Sequence, residues 1–263
     1  MYSKKINTYN SNHLGDAIFC FICFYHIKDY IEQNNIQIHF FCNDTIIYQL
    51  SEFNYSKNIS ICPLEQMPNN EETHDLWIGQ TLPYNYYDVL NTKEYFDVFL
   101  CKFYNIFLQK IDIPVNIDKF IYDDQALCAK CDEINDKTNN KYRNIDFLFN
   151  NSRPCSGQID YNEYEWDYFA LELSKKYNII TTKKVEGIKC TLDDNLTVKD
   201  IAAISTGIKK FILLGNGVAA GLMNNYIANS AEIVYYLCGR DAISFPHFVN
   251  KTHINEMSFL LAQ

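Results

Sequence analysis

The sequence predicts an α/β fold made of two parallel-sheet halves that face each other across a cleft. Three observations carry that expectation. Short apolar runs of strand length alternate with longer helical runs throughout the 263 residues, the pattern of a parallel sheet crossed by helices. The polar run Asn135-Asp136-Lys137-Thr138-Asn139-Asn140 is the most linker-like segment and separates two stretches of similar length, so residues 1–135 and 141–263 read as an N-terminal and a C-terminal domain. Each half also has a small-residue turn that opens a helix: His13-Leu14-Gly15-Asp16 near the start, and Gly215-Asn216-Gly217 directly behind the apolar strand Phe211–Leu214.

In the first half, the β-prone stretch Lys5–Tyr9 runs into Ser11–Gly15, after which apolar residues continue to about Tyr30. That is strand, loop and buried helix. Ile36–Cys42 reads as a strand, Asp44 is placed to cap a short helix reaching Phe53, and Ile59–Cys62 is a brief strand ended by Pro63. The stretch Glu65–Thr73 reads as a surface loop, Leu76–Gly79 as a further buried strand, and Tyr87–Lys110 as a long helix broken at Ile111–Pro114. A short acidic helix near Asp123–Ile134 leads to the linker. Beyond it, strands at Ile145–Phe149, Asn178–Thr182, Lys210–Leu214 and Ala231–Leu237 alternate with helices at Tyr161–Tyr177, Thr197–Ser205 and Val218–Tyr226.

The net charge of -9 excludes a broad electrostatic grip on nucleic acid or anionic lipid, because neither is attracted to an acidic surface. A local basic pocket stays open. No apolar core of a secretory signal follows Lys4-Lys5, and the apolar run Ala17–Tyr25 gives way to His26, Lys28 and Asp29 too soon to span a bilayer. A cytoplasmic protein with no transmembrane segment is expected. The ten cysteines are scattered through apolar stretches and read as buried free thiols rather than a disulfide scaffold. Cys20 and Cys23 lie within an apolar helix, and Cys128 and Cys131 on an acidic one without a matching Cys/His pair, so structural thiols are expected in place of a zinc site.

Gly15 lets the backbone turn tightly behind the first strand, which places Asp16 in the first turn of the next helix. A carboxylate at that edge of a doubly wound sheet borders the ligand crevice and is positioned to take a proton from an attacking hydroxyl; it equally serves as a plain helix-starting Asp that complements the dipole. His13 is a second candidate in the same loop. Gly215-Asn216-Gly217 precedes the small-residue run Val218–Leu222, and amides exposed there suit a phosphate, although a short Gly-x-Gly is also simply a tight turn. The third constellation is Asn150-Asn151-Ser152-Arg153-Pro154, just past a strand, with Gln158 in the same loop. Arg153 can meet a diphosphate with a forked contact while Ser152 donates a hydroxyl; the alternative is a solvated loop cation. No Asp-x-Asp is present, the pattern expected of a metal-held diphosphate, so no metal site and no resident cofactor are expected. Tyr84, Tyr86 and Tyr87 behind Pro83 suit a sugar-stacking platform or ordinary packing.

The order of these parts resembles the glycosyltransferase family that includes the bacterial lipopolysaccharide heptosyltransferases. The matching residues are the Gly15-Asp16 pair, the Ser152-Arg153 loop followed by Trp166, and the Gly215–Gly217 turn. The resemblance implies a GT-B fold of two Rossmann-like domains, the second binding the donor, and a sugar passed from a nucleotide-diphosphate donor to a carbohydrate or glycolipid hydroxyl with inversion and without metal. By the same resemblance Asp16 is the general base, Gly15, Ser152, Arg153 and Gln158 belong with the donor contacts, and Gly215, Asn216 and Gly217 cradle the diphosphate. Two alternatives remain: a non-catalytic binding or assembly module on the same scaffold, and another nucleotide-dependent transferase with a Rossmann-like core, such as a methyltransferase.

Overall fold

The structure is a computed structural model that describes residues 4–69, 71–79, 96–154 and 161–235, together with the backbone of 236–237 and 251–253. The chain divides into two compact units, Met1–Tyr122 and Asp123–Gln263.

The first unit holds a four-stranded sheet of β1 (Lys4–Asn10), β2 (Ile36–Cys42), β3 (Ile59–Pro63) and β4 (Thr73–Asp75) in the order β3-β2-β1-β4. Every pairing is parallel, with Thr8 opposite Phe40 and Tyr9 opposite Asp75. Among the described residues its α-helices are α1 (Leu14–Gln33), α2 (Asp44–Ser51) and α3 (Phe96–Lys110). In α1 the run Ala17–Phe24 is buried without a break, so the first turns of the helix are apolar on all sides rather than striped. Phe21 and Phe24 pack edge-on against Phe40 of β2 at 5.2 and 5.8 Å between ring centroids, and Phe19 meets Phe96 of α3 at 5.5 Å. Each such buried ring contributes about 2 kcal/mol.

Two expectations in this unit shift. The cap of α2 is Asn43, whose side chain accepts the Thr45 N–H, while Asp44 is the first helical residue; the amide one residue earlier has the extended backbone a cap requires. The fourth strand is the polar Thr73–Asp75 rather than Leu76–Gly79, because Thr73–Asp75 pairs with Asn7–Tyr9. Leu76 and Ile78 are buried in the turn that follows, and burial alone does not distinguish a strand from a buried turn. Of the long helix expected at Tyr87–Lys110, only Phe96–Lys110 falls within the described residues, and Tyr84, Tyr86 and Tyr87 fall outside them.

The second unit holds a six-stranded parallel sheet in the order β10-β9-β8-β5-β6-β7. Its strands are β5 (Phe147–Phe149), β6 (Ile179–Thr181), β7 (Lys189–Cys190), β8 (Lys210–Leu214), β9 (Ile233–Leu237) and β10 (Lys251–His253). Its helices are α4 (Ala126–Lys137), α5 (Glu163–Ser174), α6 (Val198–Ile204), α7 (Gly217–Gly221) and α8 (Asn225–Ser230). Phe149 stacks on Trp166 of α5 at 5.3 Å and meets Phe169 edge-on at 5.5 Å, the centre of a core completed by Ile179, Ile212 and Leu214. The helix expected at Val218–Tyr226 is two helices, because buried Asn224 caps the Ile227 N–H and restarts the turn. The two-residue β7 and the three-residue β10 are too short to leave a pattern in the sequence.

The boundary between units also differs from the linker reading. It falls between Tyr122 and Asp123, so α4 belongs to the second unit. Two ion pairs fix it to α6: Lys130 with Asp200 at 2.8 Å, and the buried Lys199 with Asp124 at 2.6 Å. The polar run ends α4 and continues into the turn over residues 138–144, in which Asn139, Asn140 and Asn144 take φ of 54°, 59° and 58°, a conformation asparagine tolerates better than most residues. Its composition marks a turn inside a domain.

The eight described cysteines are free: Cys20, Cys23, Cys42, Cys101 and Cys190 are buried, Cys62 and Cys131 half-buried, and Cys128 exposed. No described helix is long and apolar enough to cross a membrane, and no cluster of metal-ligating side chains occurs among the described residues.

Candidate functional site

The carboxyl edge of the first sheet is organised by Asn10, the last residue of β1 and fully buried. Its Nδ2 donates to the Leu76 carbonyl at 3.5 Å and to the Cys20 sulfur at 3.7 Å, and its Oδ1 accepts the Asn12 N–H at 2.9 Å. That Asx turn aims the chain into α1. Exposed His13 occupies the cap position with extended backbone (φ -84°, ψ 164°) and no side-chain cap bond, its carbonyl accepting the Ala17 N–H at 3.2 Å. Asp16 follows in the first turn, half-buried. Burial pushes its carboxyl up to about 6, while the His13 side chain and backbone N–H bonds at His13 and Asp16 pull it back. A carboxylate so placed is mostly ionised at pH 7 and more basic than an ordinary one, which suits proton abstraction.

The turn after β4 lies against this first helical turn. The Cys20 thiol donates to the Asp16 carbonyl at 3.3 Å and approaches the Leu76 carbonyl at 4.0 Å. Burial pushes that thiol up to about 12, despite hydrogen bonds from Tyr104 and Asn10, and the negative charges of Asp16 and Asp75 add to the effect. It is a packing group and no nucleophile.

At the carboxyl edge of the second sheet three strand ends are tied together by Asn150, which is also fully buried. Its Nδ2 donates to the Leu214 carbonyl at 3.2 Å and to Asn216 Oδ1 at 2.8 Å, and Asn216 Nδ2 returns a bond to Asn150 Oδ1 at 3.2 Å. Thr182, just past β6, donates its hydroxyl to the same Oδ1 at 2.9 Å. Asn216 Nδ2 also reaches the Ser152 carbonyl at 2.8 Å. Ser152 and the Gly215–Gly217 turn are thus brought together through Asn150 and Thr182, to which the sequence reading assigns no role. The available signal was an asparagine directly behind an apolar strand.

This network changes what two of the candidate groups offer. Thr182 gives its one hydroxyl proton to Asn150, so the Ser152 hydroxyl, 2.9 Å from Thr182 Oγ1, donates to Thr182. Ser152 is therefore engaged, and meets a phosphate as a donor only after rotating. At the other turn, Asn216 Oδ1 accepts the Val218 and Ala219 N–H groups at 3.0 and 3.3 Å, so the second and third amides of α7 are occupied by the protein's own cap. Arg153 is exposed and forms no ion pair or hydrogen bond among the described residues, whereas the nearby Lys183 is paired with Glu163 and lies 3.7 Å from Asp167. Gln158 lies outside the described residues.

No family model matches the sequence, and no curated protein is similar to it in sequence. Solved structures do match. The E. coli heptosyltransferase WaaC with ADP-2-deoxy-2-fluoro heptose aligns with a TM-score of 0.56 at 9% identity, over 97% of this chain and 96% of that one. The glycosyl transferase family 9 structure from Veillonella parvula DSM 2008 gives 0.52 at 11% identity, over 97% and 88%. The chain has a glycosyltransferase fold. WaaC with ADP aligns equally, at 0.52 and 11% identity over 97% and 93%, so the likeness extends over both units of this chain and nearly all of those proteins. Within that fold the loop carrying Asp16 and the loop carrying Ser152 and Arg153 each follow a strand at the interior of its own sheet, β1 and β5, the position where open α/β sheets bind ligands.

Proposed function

We propose that the protein is a glycosyltransferase that moves a sugar from a nucleotide-diphosphate donor to a hydroxyl acceptor with inversion. The observation that carries the reading is Asp16: a half-buried carboxyl group at the head of α1, raised to about 6, at a sheet edge in a glycosyltransferase fold. In the proposed step the acceptor oxygen forms a bond to the anomeric carbon as the bond from that carbon to the diphosphate breaks. The hydroxyl proton passes to Asp16, and the diphosphate leaves with the electron pair. One displacement inverts the centre. Arg153 meets the charge of the departing diphosphate in place of a divalent ion, with the Ser152 hydroxyl after rotation and any amide of the Gly215–Gly217 turn ahead of Val218. The structures with ADP and with an ADP-heptose analogue support a nucleotide-sugar partner, and a cytoplasmic enzyme drawing on soluble donors fits this chemistry.

One observation favours a second reading, a binding or assembly module without turnover: Asn216 already fills the anion-facing amides of α7. Thermal shift with UDP, GDP, ADP and S-adenosylmethionine, followed by turnover of the matching nucleotide sugar, separates the two. An active transferase is stabilised by one nucleoside diphosphate and releases it from the sugar nucleotide, while an inert scaffold does neither. Stabilisation by S-adenosylmethionine alone overturns the sugar-transfer reading.

A further inference from the structure

An exposed aromatic ring beside a carboxylate stands a few residues from Asp16 in space, and the proposed transfer step does not use it. Trp77 is 40% exposed, while the only other tryptophan, Trp166, is buried in the second core. The position of Trp77 is built. The backbone N–H of Trp77 donates to Asp75 Oδ1 at 2.9 Å, and the backbone N–H of the preceding Leu76 donates to the Tyr9 carbonyl at 2.9 Å. Its six-membered ring lies directly over Gly79, where an added Cβ would sit 2.4 Å from Cζ2, so the glycine is the floor on which the ring rests. Tyr9 lies opposite Asp75 in the β1–β4 pair, where burial and then the Asp75 carboxylate raise its phenol above the ordinary value. Asn10 and Cys20 tie this turn to the first turn of α1, and the charges of Asp16 and Asp75 both bear on the Cys20 thiol.

We infer that Trp77, Asp75 and Tyr9 form a subsite for a neutral pyranose of the acceptor, resting on the proposed transfer function and adding its acceptor class. A flat indole offers its face to the axial C–H groups of a sugar ring, and a half-exposed carboxylate with a phenol beside it accepts and donates to ring hydroxyls. Two carboxylates at one sheet edge disfavour a phosphorylated ligand by like-charge repulsion, so a nucleotide is a poor occupant here and an uncharged sugar a good one. The rigid floor at Gly79 holds the ring in place before the sugar arrives, which lowers the ordering cost of binding.

The test uses the full chain without any donor. Methyl β-D-glucopyranoside, methyl β-D-galactopyranoside and methyl α-D-mannopyranoside are titrated up to about 50 mM, the weak range expected of a single-sugar contact, with tryptophan emission and saturation-transfer NMR as readouts. At least one glycoside is expected to shift the emission of the exposed tryptophan and to receive saturation on one ring face. Trp77→Ala weakens that binding at least tenfold and Trp77→Phe only about threefold. Gly79→Ala, which displaces the ring but keeps it, behaves like Trp77→Ala, and the second-unit variant Trp166→Phe keeps the emission change. No glycoside binding by the wild type, equal binding by Trp77→Ala, or tighter binding of UMP or AMP than of any glycoside at this ring overturns the inference. The binding assay contains no donor and turnover is measured separately: glycoside binding by a protein that shows no turnover once nucleotide sugars are supplied leaves the subsite standing and removes the transfer reading, whereas turnover with an unchanged acceptor KM in Trp77→Ala does the reverse.

Discussion

The two sheet edges use the same device for different ends. In each unit an interior strand finishes at a fully buried asparagine, Asn10 behind β1 and Asn150 behind β5. In each, the side-chain nitrogen donates to a carbonyl of the neighbouring strand's end, Leu76 or Leu214, and the side-chain oxygen accepts the N–H two residues on, at Asn12 or Ser152. Around Asn10 the remaining groups are a titratable carboxyl, a thiol and an exposed indole. Around Asn150 they are amides and hydroxyls that satisfy one another. One turn geometry therefore carries a titratable carboxyl beside it in the first unit and a set of mutually satisfied amides and hydroxyls in the second, and the difference lies in the side chains added around the shared frame.

The largest effect expected to sharpen this contrast is Asp16→Asn. It keeps the shape and removes the base, so turnover falls by roughly three orders of magnitude, while donor stabilisation in thermal shift stays within about twofold of wild type. The same change removes a carboxylate held in an unfavourable setting, so the variant melts at a higher temperature than wild type at pH 7, the pattern of a site kept at the expense of stability. Unchanged turnover would remove Asp16 from the mechanism.

Next in size is the paired comparison of Asn150→Ala with Asn10→Ala. The Asn150 amide holds shorter bonds, and its loss leaves Leu214, Thr182 and Asn216 groups without partners. A cost of about 3 kcal/mol, or roughly 10 °C in the melting of its unit, is expected. Asn10 holds longer ones, and about half that cost is expected. Equal costs would show that the two frames are equally tight. Arg153→Ala follows, with the donor KM rising about tenfold and melting unchanged, since the guanidinium is exposed.

The smallest effects are in pH dependence. Burial raises Asp16 from 3.8 to about 6, so the folded state holds its proton longer than the unfolded one, and this group alone makes folding more favourable as pH falls from 6 towards 4. His26 does the opposite. Burial lowers it from 6.5 to about 4, aided by Lys28 and opposed by a backbone bond at Ile121, so its contribution is complete above pH 6.5 and lost as pH falls towards 4. The two oppose each other over that window, and His39 and His74, also lowered by burial, add to the acid loss. Asp16→Asn steepens the acid loss, His26→Phe makes it shallower, and kcat/KM of the wild type shows an acid limb near pH 6. Parallel stability profiles for the two variants would refute the assignment.

Much of this architecture is legible in the chain. The interior strands β1, β2 and β8 and the buried helix α1 are legible because long apolar runs with the right period leave few alternatives. Thr73–Asp75 escapes notice because a three-residue polar strand exists only by virtue of its partner Asn7–Tyr9. The helix α4 is misassigned for a related reason: the ion pairs of Lys130 with Asp200 and of Lys199 with Asp124 join residues far apart in sequence and leave no local pattern. The site is legible in its loops and not in its bonds. Asp16, Ser152, Arg153 and Asn216 are visible as polar residues behind strands, but the cap that Asn216 makes to Val218 and the proton that Ser152 gives to Thr182 depend on which strand ends the sheet order brings together.

The reciprocal bond between Asn150 and Asn216 joins two carboxamides, and neither can gain or lose a proton at any acidity the chain survives. The grip between the ends of β5 and β8 therefore stays constant in acid and in base. Whatever response to acidity the molecule shows originates among its carboxyl, imidazole, amine and thiol groups, and the joint that carries the Arg153 loop stays silent throughout.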